Sequence, residues 1–157
     1  MAAAWRRDYR FHGKCFWTVR KSGYERRVSA ADFIKLYESA GWGKKCEDIV
    51  QVSLENSYVT FAVIEEENVI GMARLLGDGG MAFYLKDFVI LPEFQGKGIG
   101  KELLDYVQNY IRNQLKDGWQ TKLELMSAKG KEEFYKKIGF EERPSKYLGA
   151  GMEKMIQ

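Results

Sequence analysis

The feature that most constrains the fold is a run of alternating glycines between a strand-like segment and the longest helical pattern. The run reads Gln95-Gly96-Lys97-Gly98-Ile99-Gly100. Glycine in a helix interior costs roughly 0.5–1 kcal/mol relative to alanine, so helix packing does not favour this run. Without Cβ atoms, the backbone N–H groups of such a turn can surround an anion at the positive end of the helix. The run therefore predicts a strand-to-helix turn that binds a phosphate or pyrophosphate, with a ligand-free tight turn as the alternative.

Two common phosphate-binding loops do not fit this run. A Walker loop needs glycine at position 95 and serine or threonine at position 102, where the chain has Gln95 and Glu102. A dinucleotide fingerprint needs its third glycine at a position that is held here by Lys101 or Leu103. The spacing therefore excludes both motifs.

Alternating apolar residues predict three neighbouring strands in the middle of the chain. Tyr58–Ile64 and Val69–Leu76 are separated by a short polar turn, which predicts a hairpin. Met81–Leu91 follows a glycine-rich turn and ends at Pro92. Together these three segments predict an antiparallel meander.

Helical spacing predicts the elements around this meander. Apolar residues four apart predict a long helix from Ile99 to Leu115, ended by Gly118, and a capping box at Ser29 and Asp32 starts a helix over Ala30–Ala40. The remaining predicted elements are helices over Glu47–Asn56 and Lys131–Ile138 and strands over Cys15–Arg20, Thr121–Met126 and Met152–Ile156. This order predicts one α/β domain with a mostly antiparallel sheet and one crossover through the long helix.

Composition excludes several classes of protein. The chain is 45% hydrophobic and 14% aromatic, which excludes intrinsic disorder, and 157 residues suit one domain. A formal net charge of +3, with acidic and basic residues interspersed, does not require nucleic acid but suits a small anionic ligand. We therefore expect no nucleic-acid partner.

The scarcity of histidine and cysteine excludes further chemistry. His12 is the only histidine, and Cys15 and Cys46 are the only cysteines, so we expect neither a zinc site nor a Ser-His-Asp hydrolase. No apolar run approaches the roughly 18 residues of a membrane span. We therefore expect a soluble cytoplasmic protein that binds no metal and no membrane.

The glycine run resembles the pyrophosphate-binding loop of the GNAT superfamily of acetyl-CoA-dependent N-acetyltransferases. Its pattern is Q/R-x-x-G-x-G/A, and Gln95, Gly98 and Gly100 match the fixed positions. Three further segments are similar to the family in the right order: Leu36–Trp42 to the first helix of small bacterial members, Asp87–Phe94 to the fourth strand and its exit, and Phe134–Phe140 to the last helix and turn.

The resemblance implies the GNAT fold for most of the chain. That fold has a mixed, mostly antiparallel sheet, in which a central parallel strand pair is splayed around the cofactor cleft, and helices on both faces. Here the pair would be Met81–Leu91 and Leu123–Ser127. We expect one domain over residues 16–157 and an N-terminal extension over residues 1–15.

The resemblance also implies how acetyl-CoA is bound. The residues implied are Phe88, Val89 and Ile90 along the pantetheine arm, and Gln95, Gly96, Lys97, Gly98, Ile99, Gly100 and Lys101 around the pyrophosphate. The two lysines either add positive charge there or are solvated surface residues. A strand N–H group, that of Val89 or Phe88, would stabilise the tetrahedral oxyanion.

Three residues are candidates for catalysis. The resemblance implies that Tyr135 protonates the departing CoA thiolate, although its spacing also suits a core tyrosine. An attacking ammonium has a pKa near 10 and must lose a proton first. Histone-acetylating relatives carry a glutamate at the position of Tyr84, so the base here is left open between Asp87, Glu124 and a water chain.

The sequence says less about the residues that bind the acceptor amine. Tyr37, Glu38 and Trp42 fall in the region that covers the acceptor pocket in this family, with Tyr84 nearby on its strand. An aromatic ring and a carboxylate suit a cationic amine. Trp42 is alternatively a core residue.

The resemblance therefore implies direct transfer of an acetyl group from acetyl-CoA to a primary amine, within a ternary complex. The acceptor is a small molecule or a peptide amine. The alternative is a non-catalytic CoA-binding sensor or interaction module with the same fold. The oligomeric state is open, and a homodimer is compatible with the sequence.

Overall fold

The part of the chain that the structure describes contains six strands, four α-helices and one short 3₁₀ helix over Pro92–Phe94. In this computed structural model that part comprises residues 7–11, 14–19 and 28–156. The elements are β1 (Arg7–Phe11), β2 (Lys14–Val19), α1 (Ala30–Ser39), α2 (Glu47–Glu55), β3 (Val59–Glu65), β4 (Asn68–Gly77), β5 (Ala82–Ile90), α3 (Ile99–Arg112), β6 (Lys122–Leu125) and α4 (Glu132–Lys136). They fall into two compact units, Met1–Glu124 and Leu125–Gln157.

The strands form one mixed sheet in the order β1-β2-β3-β4-β5-β6. Each neighbouring pair from β1 to β5 is antiparallel. The N–H group of Lys122, the first residue of β6, donates to the carbonyl of Met81 at 3.4 Å, just before β5. The two strands therefore start at the same end and run parallel, and α3 provides the crossover connection that a parallel pair needs. The prediction of a mostly antiparallel sheet with one parallel pair is confirmed.

Helices pack on both faces of this sheet. The ring of Phe61 in β3 meets the ring of Tyr110 in α3 edge-on, with centroids 5.3 Å apart. The adjacent Thr60 lies opposite Arg74, and the guanidinium of Arg74 reaches the carbonyl of Ser53 in α2. Since successive residues of a strand point to opposite faces, α3 and α2 cover opposite faces, as predicted.

The start of α1 follows the sequence prediction. The hydroxyl of Ser29 accepts a hydrogen bond from the N–H group of Asp32 at 3.0 Å, and the carboxylate of Asp32 accepts one from the N–H group of Ser29 at 3.1 Å. This capping box satisfies two N–H groups at the helix start. It fixes where α1 begins, so that Phe33 and Leu36 are buried.

The end of α3 differs from the prediction. The helix ends at Arg112 with Asn113 as its C-cap, whereas the spacing predicted Leu115 and a stop at Gly118. Beyond the cap the backbone tightens, because the N–H group of Leu115 bonds the carbonyl of Arg112 three residues back at 3.2 Å. Asparagine has a low helix propensity, which favours the earlier end. None of the helices in the described segments is long and apolar enough to cross a membrane.

The two ends of the chain were predicted with different success. The predicted strand near Cys15 is confirmed as β2, and β1 pairs with it, although the sequence analysis placed no strand there. The predicted strand over Met152–Ile156 is wrong, since this segment is irregular and its large apolar side chains are exposed. Alternation stabilises a strand only where one face is buried. The predicted domain limits stay a prediction.

We expect the capping box to contribute measurably to stability. Ser29→Ala removes the hydroxyl that accepts from Asp32, so the free energy of unfolding should fall by about 1 kcal/mol. Urea denaturation followed by circular dichroism measures this change. Lys35→Ala, at an exposed position of α1, is the control. Equal midpoints for Ser29→Ala and the unmodified protein would contradict the assignment.

Candidate functional site

The glycine run forms a loop that opens α3 with unusual backbone conformations. Gly96 has φ +73° and Gly98 has φ +82°, both in the left-handed region that favours glycine. Gly98 is the N-cap residue, and it has no side chain that could accept hydrogen bonds from the first turn of α3. A Cβ atom added at either glycine would meet no atom within 4 Å. Open space next to an uncapped helix start suits an anion.

Polar side chains fix this loop and flank it. The amide of Gln95 donates to the carbonyl of Ile90 at 2.8 Å, which ties the loop to the end of β5. The ammonium of Lys97 lies 5.1 Å from the ring centroid of Phe94. Lys101 bonds Asp105 at 2.6 Å, and this hydrogen bond raises the pKa of Lys101. Both lysines are exposed at the edge of the loop, and the charge of Lys101 is paired with that of Asp105.

Strand β5 carries a bulge just before the residues that precede the loop. Its pairing with β4 moves from Arg74 opposite Lys86 to Met72 opposite Val89, so two residues of β5 oppose one of β4. Asp87 lies in the bulge with φ +49°. A left-handed residue other than glycine is uncommon, although aspartate tolerates the conformation better than most residues do. The bulge is therefore a strained point that the surrounding structure must hold.

The carboxylate of Asp87 is held in an ion pair. The Nε atom of Arg74 donates to Oδ2 of Asp87 at 2.7 Å, and the two side chains are only 12% and 8% exposed. The same guanidinium donates to the carbonyl of Ser53 at 3.3 Å and to the hydroxyl of Ser57 at 3.4 Å. A buried carboxylate already paired with arginine is poorly placed to accept a proton from an amine. The geometry favours a structural role for Asp87 over the predicted role of base.

The other candidate base, Glu124, and the acceptor candidate Tyr84 lie on separate strands. Glu124 is exposed on β6, and Tyr84 is half-buried on β5 opposite Leu76. In the described segments no cluster of three or more His, Cys, Asp or Glu is arranged to hold a metal ion.

The predicted acceptor aromatics lie together at the end of α1. The ring of Tyr37 stacks on Phe33 with centroids 5.6 Å apart and meets Trp42 edge-on at 5.2 Å. The ammonium of Lys45 lies 5.6 Å from the centroid of Tyr37, a contact that the sequence analysis did not anticipate. Glu38 is exposed. The ring of Tyr37 therefore already contacts Phe33, Trp42 and the ammonium of Lys45.

Tyr135 lies on α4, in the second unit. Its ring packs edge-on against Phe134 and Phe140, with centroids 5.1 Å and 5.8 Å away. Burial raises the pKa of Tyr135 to about 12, because the phenolate would lose its hydration. The phenol therefore keeps its proton at neutral pH.

Arg74 is the principal residue that the sequence analysis missed. It is the only charged residue in the apolar run from Val69 to Leu76. A lone charge in an otherwise apolar strand indicates a buried partner, since an unpaired buried charge is costly. The sequence did not show which acid supplies that partner.

Part of this chain matches a known protein family. The family model described as an acetyltransferase (GNAT) domain matches residues 56–142, more than half of the chain. The chain belongs to the GNAT family. The match spans the bulge, the glycine loop and α4, and it confirms the resemblance inferred from the loop motif.

Individual relatives agree with this assignment. An uncharacterized N-acetyltransferase, ycf52, of Pyropia yezoensis is 28% identical over 128 residues, which cover 79% of this chain and 71% of that protein. A GNAT-family acetyltransferase from Streptococcus pneumoniae is 26% identical with a TM-score of 0.68, covering 92% of this chain and 98% of that one. A Staphylococcus aureus protein of unknown function has a TM-score of 0.71 at 23% identity, covering 88% and 99%, and this likeness shows the fold.

The raised pKa of Tyr135 predicts a pH dependence. In the folded protein its pKa is about 12, above the ordinary value of 10.0. The resulting stability is present below pH 10 and is lost as the pH rises towards 12. The unfolding free energy of the unmodified protein should therefore fall relative to that of Tyr135→Phe across this window.

Near-ultraviolet titration and urea denaturation at several pH values measure this effect. Tyr135→Phe should remove a tyrosine transition near pH 12, whereas Tyr147→Phe, at an 84% exposed position, should leave it in place. A transition that persists in Tyr135→Phe would contradict the assignment.

Proposed function

We propose that this GNAT-family protein transfers the acetyl group of acetyl-CoA to a primary amine by direct attack within a ternary complex. The observation that carries the proposal is the left-handed glycine loop at the uncapped start of α3, with open space beside Gly96 and Gly98. A pyrophosphate carries the negative charge and the acceptor oxygens that such N–H groups require. This fit supports acetyl-CoA as the acetyl donor.

The backbone supplies most of the binding site. N–H groups from Gly96 to Lys101 hold the pyrophosphate, since the N–H group of Gln95 already donates to the carbonyl of Pro92 at 3.1 Å. Phe88, Val89 and Ile90 at the end of β5 hold the pantetheine arm. The bond between Gln95 and Ile90 supports this division, because it joins the two segments directly. The N–H group of Val89 or Phe88 stabilises the oxyanion when the amine attacks.

The chemistry requires two proton transfers. The amine nitrogen loses a proton and forms a bond to the thioester carbonyl carbon, and the carbon–sulfur bond then breaks. Because Asp87 is paired with Arg74, the proton of the amine passes to a water chain or to Glu124. The departing thiolate accepts a hydrogen bond from Tyr135 and takes its proton from solvent.

The pKa of Tyr135 sets what this group contributes. At about 12 it keeps the phenol protonated through the working pH range. A thiol has an ordinary pKa near 8.5, so the phenol is the weaker acid of the two. Its main contribution is therefore the hydrogen bond that stabilises negative charge developing on sulfur.

The acceptor is a cationic amine, either a small molecule or a peptide side chain. The rings of Tyr37 and Trp42 and the exposed carboxylate of Glu38 support this class, since aromatic faces and a carboxylate attract an ammonium. The acceptor must displace the ammonium of Lys45 from the ring of Tyr37. Tyr84, Glu38 and Trp42 complete the proposed acceptor group. The cytoplasmic location stays a prediction.

A non-catalytic acetyl-CoA-binding module is the second candidate. The pairing of Asp87 with Arg74 favours it, because this pairing occupies one of the two candidate bases. Release of free CoA thiol in a screen of primary amines would distinguish the two functions. An enzyme releases thiol with at least one amine, whereas a binding module releases none.

Acetyl-CoA binding should depend on the glycine loop. We expect acetyl-CoA at a hundredfold excess over Kd to stabilise the protein by about 2.7 kcal/mol and to raise its Tm. Gly98→Val should abolish binding, because its side chain enters the open space beside the loop. Calorimetric titration and thermal unfolding measure both effects.

Gly118→Val is a matched control for this variant. Gly118 has φ +80°, and an added Cβ atom would also meet no atom within 4 Å, so the backbone strain is similar. This variant should bind acetyl-CoA normally. Normal binding by folded Gly98→Val, or no binding by the unmodified protein, would refute the proposed cofactor site.

Tyr135→Phe should separate binding from catalysis. The phenylalanine ring still packs on Phe134 and Phe140, so acetyl-CoA affinity should stay within a few fold while kcat falls by about 10²-fold. Steady-state kinetics with an accepted amine and a binding titration on the same sample measure this. Tyr147→Phe is the exposed control, and full activity in Tyr135→Phe would exclude the phenol from catalysis.

A further inference from the structure

We propose that Arg74 and Asp87 are positioning residues that hold the bulge of β5 in the conformation required by the pantetheine arm of acetyl-CoA. The inference rests on the proposed function. Neither side chain needs to touch the substrate. They act through the backbone of Phe88–Ile90, which follows the bulge directly.

The bulge determines how the end of β5 is oriented. Leu85 lies opposite Leu75, whereas Val89 lies opposite Met72. Leu75 and Met72 are three residues apart in β4, so their side chains point to opposite faces. Leu85 and Val89 would share a face in a regular strand, and the inserted residue reverses that alternation.

The same reversal applies to the peptide groups. N–H and C=O groups of a strand point alternately to its two neighbours, so one inserted residue changes which groups after the bulge face away from β4. On that side lies β6, the parallel neighbour of β5. The bulge therefore selects the backbone groups that are available to a ligand between these strands.

The Arg74–Asp87 ion pair is placed to hold this conformation. Asp87 is itself the left-handed residue of the bulge, and its carboxylate is fixed by the Nε atom of Arg74 at 2.7 Å. Arg74 is fixed in turn by the carbonyl of Ser53 and the hydroxyl of Ser57, and that hydroxyl donates to the same carbonyl at 2.7 Å. One guanidinium thus joins β4, the bulge of β5 and the end of α2.

Substitutions at Asp87 distinguish the effect of its left-handed backbone conformation from the effect of its ion pair with Arg74. Asn tolerates the left-handed region, and its amide oxygen can accept from Arg74. Gly adopts the backbone conformation freely but removes the pair, and Ala removes the pair and adds strain. Arg74→Met removes the pair from the other side while keeping an unbranched side chain.

Titrations with two ligands distinguish binding at the bulge from binding at the glycine loop. Acetyl-CoA contacts both, whereas 3′-phospho-ADP has the pyrophosphate but no pantetheine arm. We expect Asp87→Gly, Asp87→Ala and Arg74→Met to bind acetyl-CoA about tenfold more weakly, and Asp87→Asn to bind within about threefold of the unmodified protein. Affinity for 3′-phospho-ADP should stay unchanged in every variant that thermal unfolding shows to be folded.

Several results would overturn the inference. Wild-type affinity for acetyl-CoA in Asp87→Gly would show that the backbone holds the bulge alone, and equal losses for both ligands would indicate general destabilisation. Loss of kcat in Asp87→Asn with binding retained would instead identify Asp87 as the general base. Failure of the unmodified protein to bind acetyl-CoA would refute the proposed function itself, which the same titration shows separately.

Discussion

The left-handed conformation of Gly98 is the constraint on which the proposed site depends. It turns the chain from β5 into α3 and starts the helix without a side-chain cap, so the first N–H groups lack an intrahelical partner. Those groups need an acceptor, and the open space beside the loop admits an anionic one. In the proposed site the glycines serve ligand binding at the expense of helix stability.

The charged residues inside the domain and those beside the glycine loop differ in their burial. Arg74 and Asp87 are almost buried and pair with each other, and breaking such a pair typically costs about 3–5 kcal/mol. Lys97 and Lys101 are exposed beside the loop, where surface pairs contribute little to stability. In the proposed account the buried pair holds the bulge of β5. At the loop, Lys101 is paired with Asp105, and Lys97 lies against the ring of Phe94.

Local patterns predicted the loop, the meander and the capping box, because spacing and turn residues act over a few positions. The partner of Arg74 was not predictable, since the ion pair joins residues 13 apart and its anchor on Ser53 lies 21 residues away. The bulge at Asp87 also escaped prediction, because register depends on the neighbouring strand. The alternation of apolar residues over Met152–Ile156 led to a wrong prediction of a strand. Such alternation does not show whether one face of the segment is buried, and here the apolar side chains are exposed.

The most direct test of the account is an NMR titration of the isotope-labelled, unmodified protein with acetyl-CoA, which follows every backbone amide. The account predicts that the largest shift changes fall on two segments, the loop from Gly96 to Lys101 and the end of β5 from Phe88 to Ile90. Saturable changes confined to those segments would support a cofactor site built from the loop and the bulge. An unchanged spectrum at millimolar acetyl-CoA, or changes centred elsewhere, would contradict it.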